Sequence, residues 1–307
     1  MIRRLRSEGR NLLILDAGNL LFRVLPKNRS ERKEFIQKAD LMIQTYNIMG
    51  YDGLNVGELD LILGDEFLLQ MAGKATFPFL SSNLLNKTED APIFSTHMVK
   101  DMSRIRIGVF GLIDPRMAGT RDSMTASDPV GKAQRAVSQL KEKSDFIIAL
   151  SQLGEKEDRK LALAVPKIDL IIGGMKSKTV RYTNVDDTIM VRLIPRGGYL
   201  GVLELDIKEE GRPYRFSDLS HRDDIRARME RIRFKASLIE DQLHELSPKE
   251  KKRELRKLEV LRTAEKELQA RIASYACRNT FHNQVIPINI RIEDDPLISR
   301  LLQENKR

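Results

Sequence analysis

The chain has 307 residues, of which 41% are hydrophobic and 32% charged, a balance typical of a folded globular protein. No apolar run approaches the roughly 20 residues that cross a bilayer, so no membrane-spanning helix is expected. The single cysteine, Cys277, excludes an internal disulfide and a cysteine-based metal cluster.

The formal net charge of +9 would suit an anionic partner, but its distribution argues against nucleic acid. Basic and acidic residues are interleaved between positions 222 and 271, which is typical of a solvated helical surface. Aromatic residues make up only 6%, tryptophan is absent, and no aromatic cluster is interleaved with basic residues for base stacking. We therefore do not expect nucleic-acid binding.

The first predicted strand lies in the run 11–22, NLLILDAGNLLF, where apolar residues end at the turn Asp16-Ala17-Gly18-Asn19. A short apolar run closed by such a turn predicts a buried strand with a loop at its carboxyl end. In open α/β sheets this end of a strand carries ligand and metal sites. Asn19 is therefore placed where chemistry would be expected.

Further strands alternate with helices along the first two hundred residues, which predicts an α/β fold with a largely parallel sheet. A glycine, Gly50, marks the end of the first long predicted helix. Two strands that flank Gly197-Gly198 are predicted to form a hairpin. Strands are predicted at 53–56, 77–81, 93–99, 105–112, 146–150, 168–172, 188–194, 199–207 and 285–292, and helices at 31–49, 65–73, 129–143 and 155–165.

The segment 219–276 has a different pattern, an apolar seam at alternating spacings of three and four residues. Ser247-Pro248-Lys249-Glu250 in its middle predicts a helix start with a capping box. Two seams joined by this capped turn predict an antiparallel helical hairpin of the coiled-coil type. The hairpin could be a packing arm, a surface for self-association, or a docking surface for a protein partner. The seam residues are Ile225, Met229, Ile232, Ala236, Ile239, Leu243 and Leu246, then Leu258, Leu261, Leu268, Ile272 and Tyr275, with Glu265 as a polar interruption.

Taken together, the predicted loops resemble the 5′-nucleotidase branch of the calcineurin-like metallophosphoesterases. Six segments occur in the family's order over roughly residues 3–207, and NQVIPINIRIEDDPLISRLL at 283–302 resembles the segment that closes the domain. The six segments are LLILDAGN at 12–19, MGYDGLNVGELD at 49–60, FPFLSSN at 77–83, IRIGVFGLID at 105–114, SDFIIALSQLGEKEDRKLA at 144–162 and IDLIIGGM at 168–175.

The resemblance implies a four-layer α/β/β/α sandwich and a site in which two divalent metals, about 3.5–4 Å apart, activate water for attack on phosphate. It divides the chain into a metallophosphoesterase-like domain at 1–218, the inserted hairpin at 219–276, and a closing strand and helix at 277–307. The family's opening strand with Asp-x-His has no counterpart in this sequence.

The family's metal-binding motifs are degenerate in this sequence. The bridging aspartate is replaced by Asn19, and the residues of GNHE become Glu58, Leu59 and Asp60. The ligand histidine of LSHLG becomes Gln152, and the two histidines of GGHSH become Met175 and Ser177. The four histidines of the chain fall on none of these positions; they are His97, His221, His244 and His282.

These replacements predict a family member without catalytic residues that serves as a binding or assembly scaffold. The alternative is a divergent phosphoric ester hydrolase in which Asn19, Glu58 and Asp60 hold one weakly bound divalent metal, since Mg²⁺ accepts one or two carboxylates plus water. Glu58 and Asp60 could instead be ordinary solvated turn residues, which is the more common role of acidic residues in such a turn.

Three basic residues, Lys176, Lys178 and Arg181, offer a site for a phosphate or nucleotide where the family has histidines, although they could form a solvated loop. The sequence shows no signal peptide, which suggests a cytoplasmic protein, while the resemblance implies that relatives are often exported. The compartment is therefore left open.

Overall fold

The computed structural model describes residues 1–118, 123–175, 182–193, 197–208, 214–275, 279–288 and 294–305. These residues form a mixed α/β fold with several sheets and two compact units, one of residues 1–201 and 285–307 and one of residues 202–284. In this described part of the chain, no helix is both long enough and apolar enough to cross a bilayer.

The first unit begins with a small parallel sheet and three helices. The strands β1 (Leu15–Asp16), β2 (Gly53–Asn55) and β3 (Phe79–Leu80) lie side by side in that order. The helices are α1 (Ile2–Ser7), α2 (Arg29–Met49) and α3 (Asp65–Lys74). As predicted, α2 ends at Gly50, whose φ of 70° is the left-handed conformation that glycine adopts easily.

The second sheet of the first unit has six strands. Its order is β10-β11-β9-β8-β6-β5, and its inner strands β11, β9, β8 and β6 run parallel to one another, whereas both edge strands are antiparallel. The strands are β5 (His97–Asp101), β6 (Arg106–Leu112), β8 (Phe146–Ser151), β9 (Leu170–Gly173), β10 (Thr183–Val185) and β11 (Thr188–Arg192). The remaining elements here are β4 (Leu84–Asn86), which pairs with β7 (Met124–Ala126), and the helices α4 (Pro115–Ala118), α5 (Pro129–Leu140) and α6 (Glu155–Ala164).

Each sheet carries its own hydrophobic cluster against its own helices. Leu54 and Phe79 of the small sheet pack with Ile43 of α2 and Leu68 of α3. On the six-stranded sheet, one cluster joins α5 and α6 to alternate strand residues such as Phe110, Leu112, Ile147 and Ala149. The opposite faces of these strands are also buried, and β2 and β3 contact β6. The layers therefore follow the order helix, sheet, sheet, helix, as the resemblance implied.

The predicted hairpin around Gly197-Gly198 is wrong. β11 is an inner strand of the six-stranded sheet, with β9 on one side and β10 on the other. The next strand, β12 (Tyr199–Asp206), joins a third sheet of order β12-β14-β13 with β14 (Asn279–Pro287) and β13 (Phe216–Asp218). β9 and β10 occupy both hydrogen-bonding edges of β11, so β12 cannot pair with it. The glycine-rich turn between β11 and β12 was therefore not enough to predict a hairpin.

The second unit contains two long helices, α7 (Leu219–Gln242) and α8 (Pro248–Ser274). They run antiparallel, since Arg233 pairs with Glu265 at 2.6 Å and Glu240 pairs with Arg262 at 2.6 Å. The predicted seam is confirmed: Ile225, Ala236, Leu258 and Leu268 are buried, and the other seam residues are half-buried. The last helix, α9 (Pro296–Glu304), belongs to the first unit and contacts α2.

Candidate functional site

The carboxyl ends of β1, β2 and β8 bring three of the predicted loops together in the first unit. The Asn19 side chain, in the loop after β1, reaches the backbone of Leu59 in the loop after β2 and the side chain of Gln152 after β8. Asn19 has φ 66°, a left-handed conformation that asparagine tolerates better than most residues. The position predicted from the opening strand is thus the meeting point of the loops.

Asn19 uses both ends of its side-chain amide. Its Oδ1 accepts the N–H of Leu59 at 2.8 Å, and its Nδ2 donates to Oε1 of Gln152 at 2.9 Å. A carboxylate only accepts hydrogen bonds, so an aspartate could make the first contact but not the second.

Gln152 completes the arrangement by donating from Nε2 to the carbonyl oxygen of Ala17 at 2.7 Å. Its side chain is buried, and it lies against Gly174, where an added Cβ would stand 2.2 Å from Nε2. We call the pair Asn19 and Gln152, with their contacts to Ala17 and Leu59, the amide clasp. The amide clasp ties together the loops after β1, β2 and β8.

Asp60 is fully buried beneath the same loops and accepts three backbone N–H groups. Oδ2 accepts from Asn19 at 2.8 Å and from Gly57 at 2.9 Å, while Oδ1 accepts from Leu21 at 2.8 Å. Burial raises the pKa of this carboxyl to about 6, although the three backbone donors oppose the shift. The carboxylate therefore holds the loop after β1 in place.

The other predicted site residues are placed as follows. Glu58 and Leu59 are half-buried at the start of a short 3₁₀ turn, Leu59–Leu61. Met175 is half-buried, and its sulfur lies beside Gly154. Ser177 and the proposed anion-binding residues Lys176, Lys178 and Arg181 lie outside the described residues.

Within the described ranges, no group of three or more His, Cys, Asp or Glu side chains is arranged to hold a metal ion. His97 lies on β5 next to Thr96, and His244 is exposed beside Glu245 in the turn between α7 and α8. The donors that meet at the amide clasp are neutral amides engaged with each other. This donor set does not fit a two-metal centre, which needs anionic or imidazole ligands.

Sequence reasoning missed a buried ion pair that contacts Ser151, the residue before Gln152. Asp158 of α6 binds Arg192 of β11 and the hydroxyl of Ser151, and both charged side chains are almost fully buried. Burial outweighs the arginine and raises the pKa of Asp158. The sequence did indicate that Asp158 could be buried, because it lies on the same helix face as Leu161 and Ala162.

A second missed group surrounds Asp16. The hydroxyl of Tyr46 donates to Asp16 at 2.7 Å, and the Tyr46 ring stacks on Tyr51 with centroids 3.8 Å apart. Asn55 is also buried and donates to the carbonyl oxygens of Ala17 and Leu112, each at 3.1 Å. An asparagine inside the apolar run of β2 was the available signal.

The fold of the first unit is similar to that of solved metallophosphoesterase domains. One similar solved structure is the calcineurin-like phosphoesterase YfkN from Bacillus subtilis, with a TM-score of 0.55 and 23% identity over 66% of this chain and 74% of that chain. No family model matches the chain.

The homologues of this chain are 5′-nucleotidases and calcineurin-like metallophosphoesterases, which confirms the resemblance inferred from the loop motifs. Protein UshA of Yersinia enterocolitica is 28% identical over 187 residues, covering 55% of this chain and 33% of that protein. A 5′-nucleotidase of Vibrio vulnificus is 26% identical over 195 residues, covering 57% and 34%. The chain thus matches about a third of the length of these curated relatives.

Proposed function

We propose that this chain is a metallophosphoesterase-fold protein that does not perform two-metal hydrolysis and that acts as a binding or assembly scaffold. The observation that carries the proposal is the amide clasp: Asn19 and Gln152, at two family ligand positions, are hydrogen-bonded to each other. Each amide has its partners within the protein, so neither needs a metal to satisfy it.

The environment of Asp60 gives further support. A one-metal hydrolase built on Asn19, Glu58 and Asp60 would need a carboxylate that can turn toward the ion. The Asp60 side chain is instead buried, and both its oxygens accept backbone N–H groups. Of these three residues, only Glu58 offers a carboxylate that is partly exposed.

A hydrolysis assay tests the proposal. The purified chain is incubated with Mn²⁺, Co²⁺, Zn²⁺ or Mg²⁺ and either AMP or a chromogenic phosphomonoester, and phosphate release is compared with a metal-free blank. We expect no metal-dependent release above the blank. Glu58→Ala serves as the matched variant, because it removes the accessible carboxylate and leaves the amide clasp intact.

Metal-dependent turnover that disappears in Glu58→Ala would overturn the proposal and establish the one-metal hydrolase. Turnover that persists in Glu58→Ala at the wild-type rate would indicate a contaminating phosphatase, and assay of a re-purified sample would then decide. Binding of divalent ions in the same samples, measured by calorimetry, separates a metal site from an active site.

A further inference from the structure

The side of the hairpin formed by α7 and α8 carries an open groove of about 640 Å³. Leu238 and Ile239 line it from α7, and Val260 and Leu261 line it from α8. Leu238 is 45% exposed and Val260 is 68% exposed. We call this surface the hairpin groove. Large apolar side chains exposed on both walls of one groove are typical of a surface that binds another chain.

The helix pair buries little of its own apolar surface. In the described part of α7 and α8, which are 24 and 27 residues long, only Ile225, Ala236, Leu258 and Leu268 are buried. Ile239 and Leu261 belong to the seam but remain half-exposed where they line the groove. A third helix laid along the groove would cover these residues, as in a three-helix bundle.

The charges at the rim of the groove indicate the chemistry of that helix. Lys235, Arg256 and Lys257 line the groove with one acid, Glu254. Glu254 already pairs with Lys257 at 2.8 Å and with Arg253 at 3.2 Å. In the described part of the chain, Lys235 and Arg256 have no acidic partner. The rim of the hairpin groove therefore has more positive than negative charge, next to the apolar side chains that line the groove.

A second copy of this hairpin would not fit the groove well. If two copies docked groove to groove, the excess of basic over acidic residues on one rim would face the same excess on the other, and like charges facing each other across an interface are unfavourable. An acidic partner avoids this repulsion and pairs with Lys235 and Arg256.

We propose that the hairpin groove binds an amphipathic helix with an acidic flank, supplied by a partner protein. This inference rests on the proposed scaffold function and names the kind of partner that the scaffold holds. Leucine-type side chains of the partner would cover Leu238 and Val260, while its carboxylates would lie against Lys235 and Arg256.

The test uses the full chain and two synthetic helical peptides of about three heptads, with Leu at positions a and d. One peptide has Glu at positions e and g, and the other has Lys there. We expect fluorescence anisotropy to show at least tenfold tighter binding of the acidic peptide. Leu238→Asp combined with Val260→Asp should weaken that binding at least tenfold. Phe234→Ser is the matched control, because Phe234 is 65% exposed on α7 but does not line the groove.

A charge-reversed variant, Lys235→Glu with Arg256→Glu, tests the electrostatic part separately and removes only exposed side chains. It should lose its preference for the acidic peptide and bind the basic peptide more tightly. Equal affinity of wild type for both peptides, or no binding of the acidic peptide up to about 100 µM, would overturn the inference.

Two further outcomes would replace the proposed partner. Concentration-dependent self-association that Leu238→Asp with Val260→Asp abolishes would make a second copy the occupant. Binding to anionic phospholipid vesicles, with no binding of the acidic peptide, would make a membrane surface the ligand. The hydrolysis assay runs on the same preparation, so turnover would overturn the scaffold function without changing the peptide result.

Discussion

At position 19, one side-chain atom decides whether a hydrogen bond can be donated, because asparagine has a nitrogen where aspartate has an oxygen. Its Nδ2 donates to Gln152, whereas the carboxylate that the homologous motif places here would present an oxygen to the oxygen of Gln152. Rotating the Gln152 amide would not relieve this contact, since Oε1 would then face the carbonyl oxygen of Ala17. The two residues therefore stabilise the loops only as a pair.

We expect Gln152→Leu to destabilise the first unit by about 1–3 kcal/mol, because Nδ2 of Asn19 loses its acceptor in a partly buried site and the carbonyl oxygen of Ala17 loses one of its two side-chain donors, keeping that of Asn55. Urea unfolding followed by tyrosine fluorescence measures this change, since the stacked Tyr46 and Tyr51 lie in the same unit. Gln70→Leu makes the same chemical change on an exposed face of α3 and should change stability by no more than about 0.5 kcal/mol. Equal effects of the two substitutions would show that the amide clasp contributes nothing.

Asp60 makes stability depend on pH. Its pKa of about 6 in the folded protein lies above the ordinary value of 3.8, so its stabilising contribution is fully present below pH 4 and is lost as the pH rises through 6. The stability of wild type minus that of Asp60→Asn should therefore fall by up to about 3 kcal/mol between pH 4 and pH 7.

The carboxyls of Asp16 and Asp158, whose pKa is also raised by burial, are present in both proteins, so the difference reports Asp60 together with its coupling to Asp16. Urea unfolding at several pH values gives the two profiles. Parallel profiles would contradict the prediction, because they would show that the pKa of Asp60 is the same in the folded and the unfolded protein.

Among the single elements, α8 depends for its stability on the capping of its first turn. Ser247 and Glu250 form the predicted capping box, in which the Ser247 N–H donates to the Glu250 carboxylate at 3.2 Å. We expect Ser247→Ala to cost about 1 kcal/mol of helix stability and to speed hydrogen exchange in the first turn of α8 about fivefold. Exchange mass spectrometry of peptides that cover residues 248–257 measures this.

Ser237→Ala is the control for this prediction. Ser237 is exposed in the middle of α7 and bonds to the carbonyl oxygen of Phe234, so its loss should leave exchange unchanged or slower. If both substitutions sped hydrogen exchange in residues 248–257 to the same degree, the Ser247 cap would have no specific effect on α8.

Local rules predicted several elements correctly, because the signals for these elements are local. The end of α2 at Gly50, the capping box and the apolar seam of α7 follow from residues within a few positions of each other. The first strand was less accurate: the run at 11–15 was expected to be extended, but β1 begins only at Leu15. The N–H of Ile14 donates instead to the side chain of Asp52 at 2.8 Å.

For the whole molecule, the layer order followed from the family resemblance, whereas the contacts of the site did not. The amide clasp joins positions 19 and 152, and Asp60 binds backbone N–H groups that carry no residue-specific signal. The pairing of β11 with β9 and β10 is equally non-local and overrode a glycine-rich turn. Motif positions showed which residues differ from the family, but only the fold shows what those residues bind.

The amide clasp also limits the order in which mutations could build a metal site on this scaffold. Asn19→Asp alone would set two oxygens against each other, so the protein would lose stability before any ion could compensate. Gln152→His alone would supply one imidazole while the bridging carboxylate was still missing. Either single substitution therefore lowers stability or leaves the site incomplete, so the two amides would have to change together.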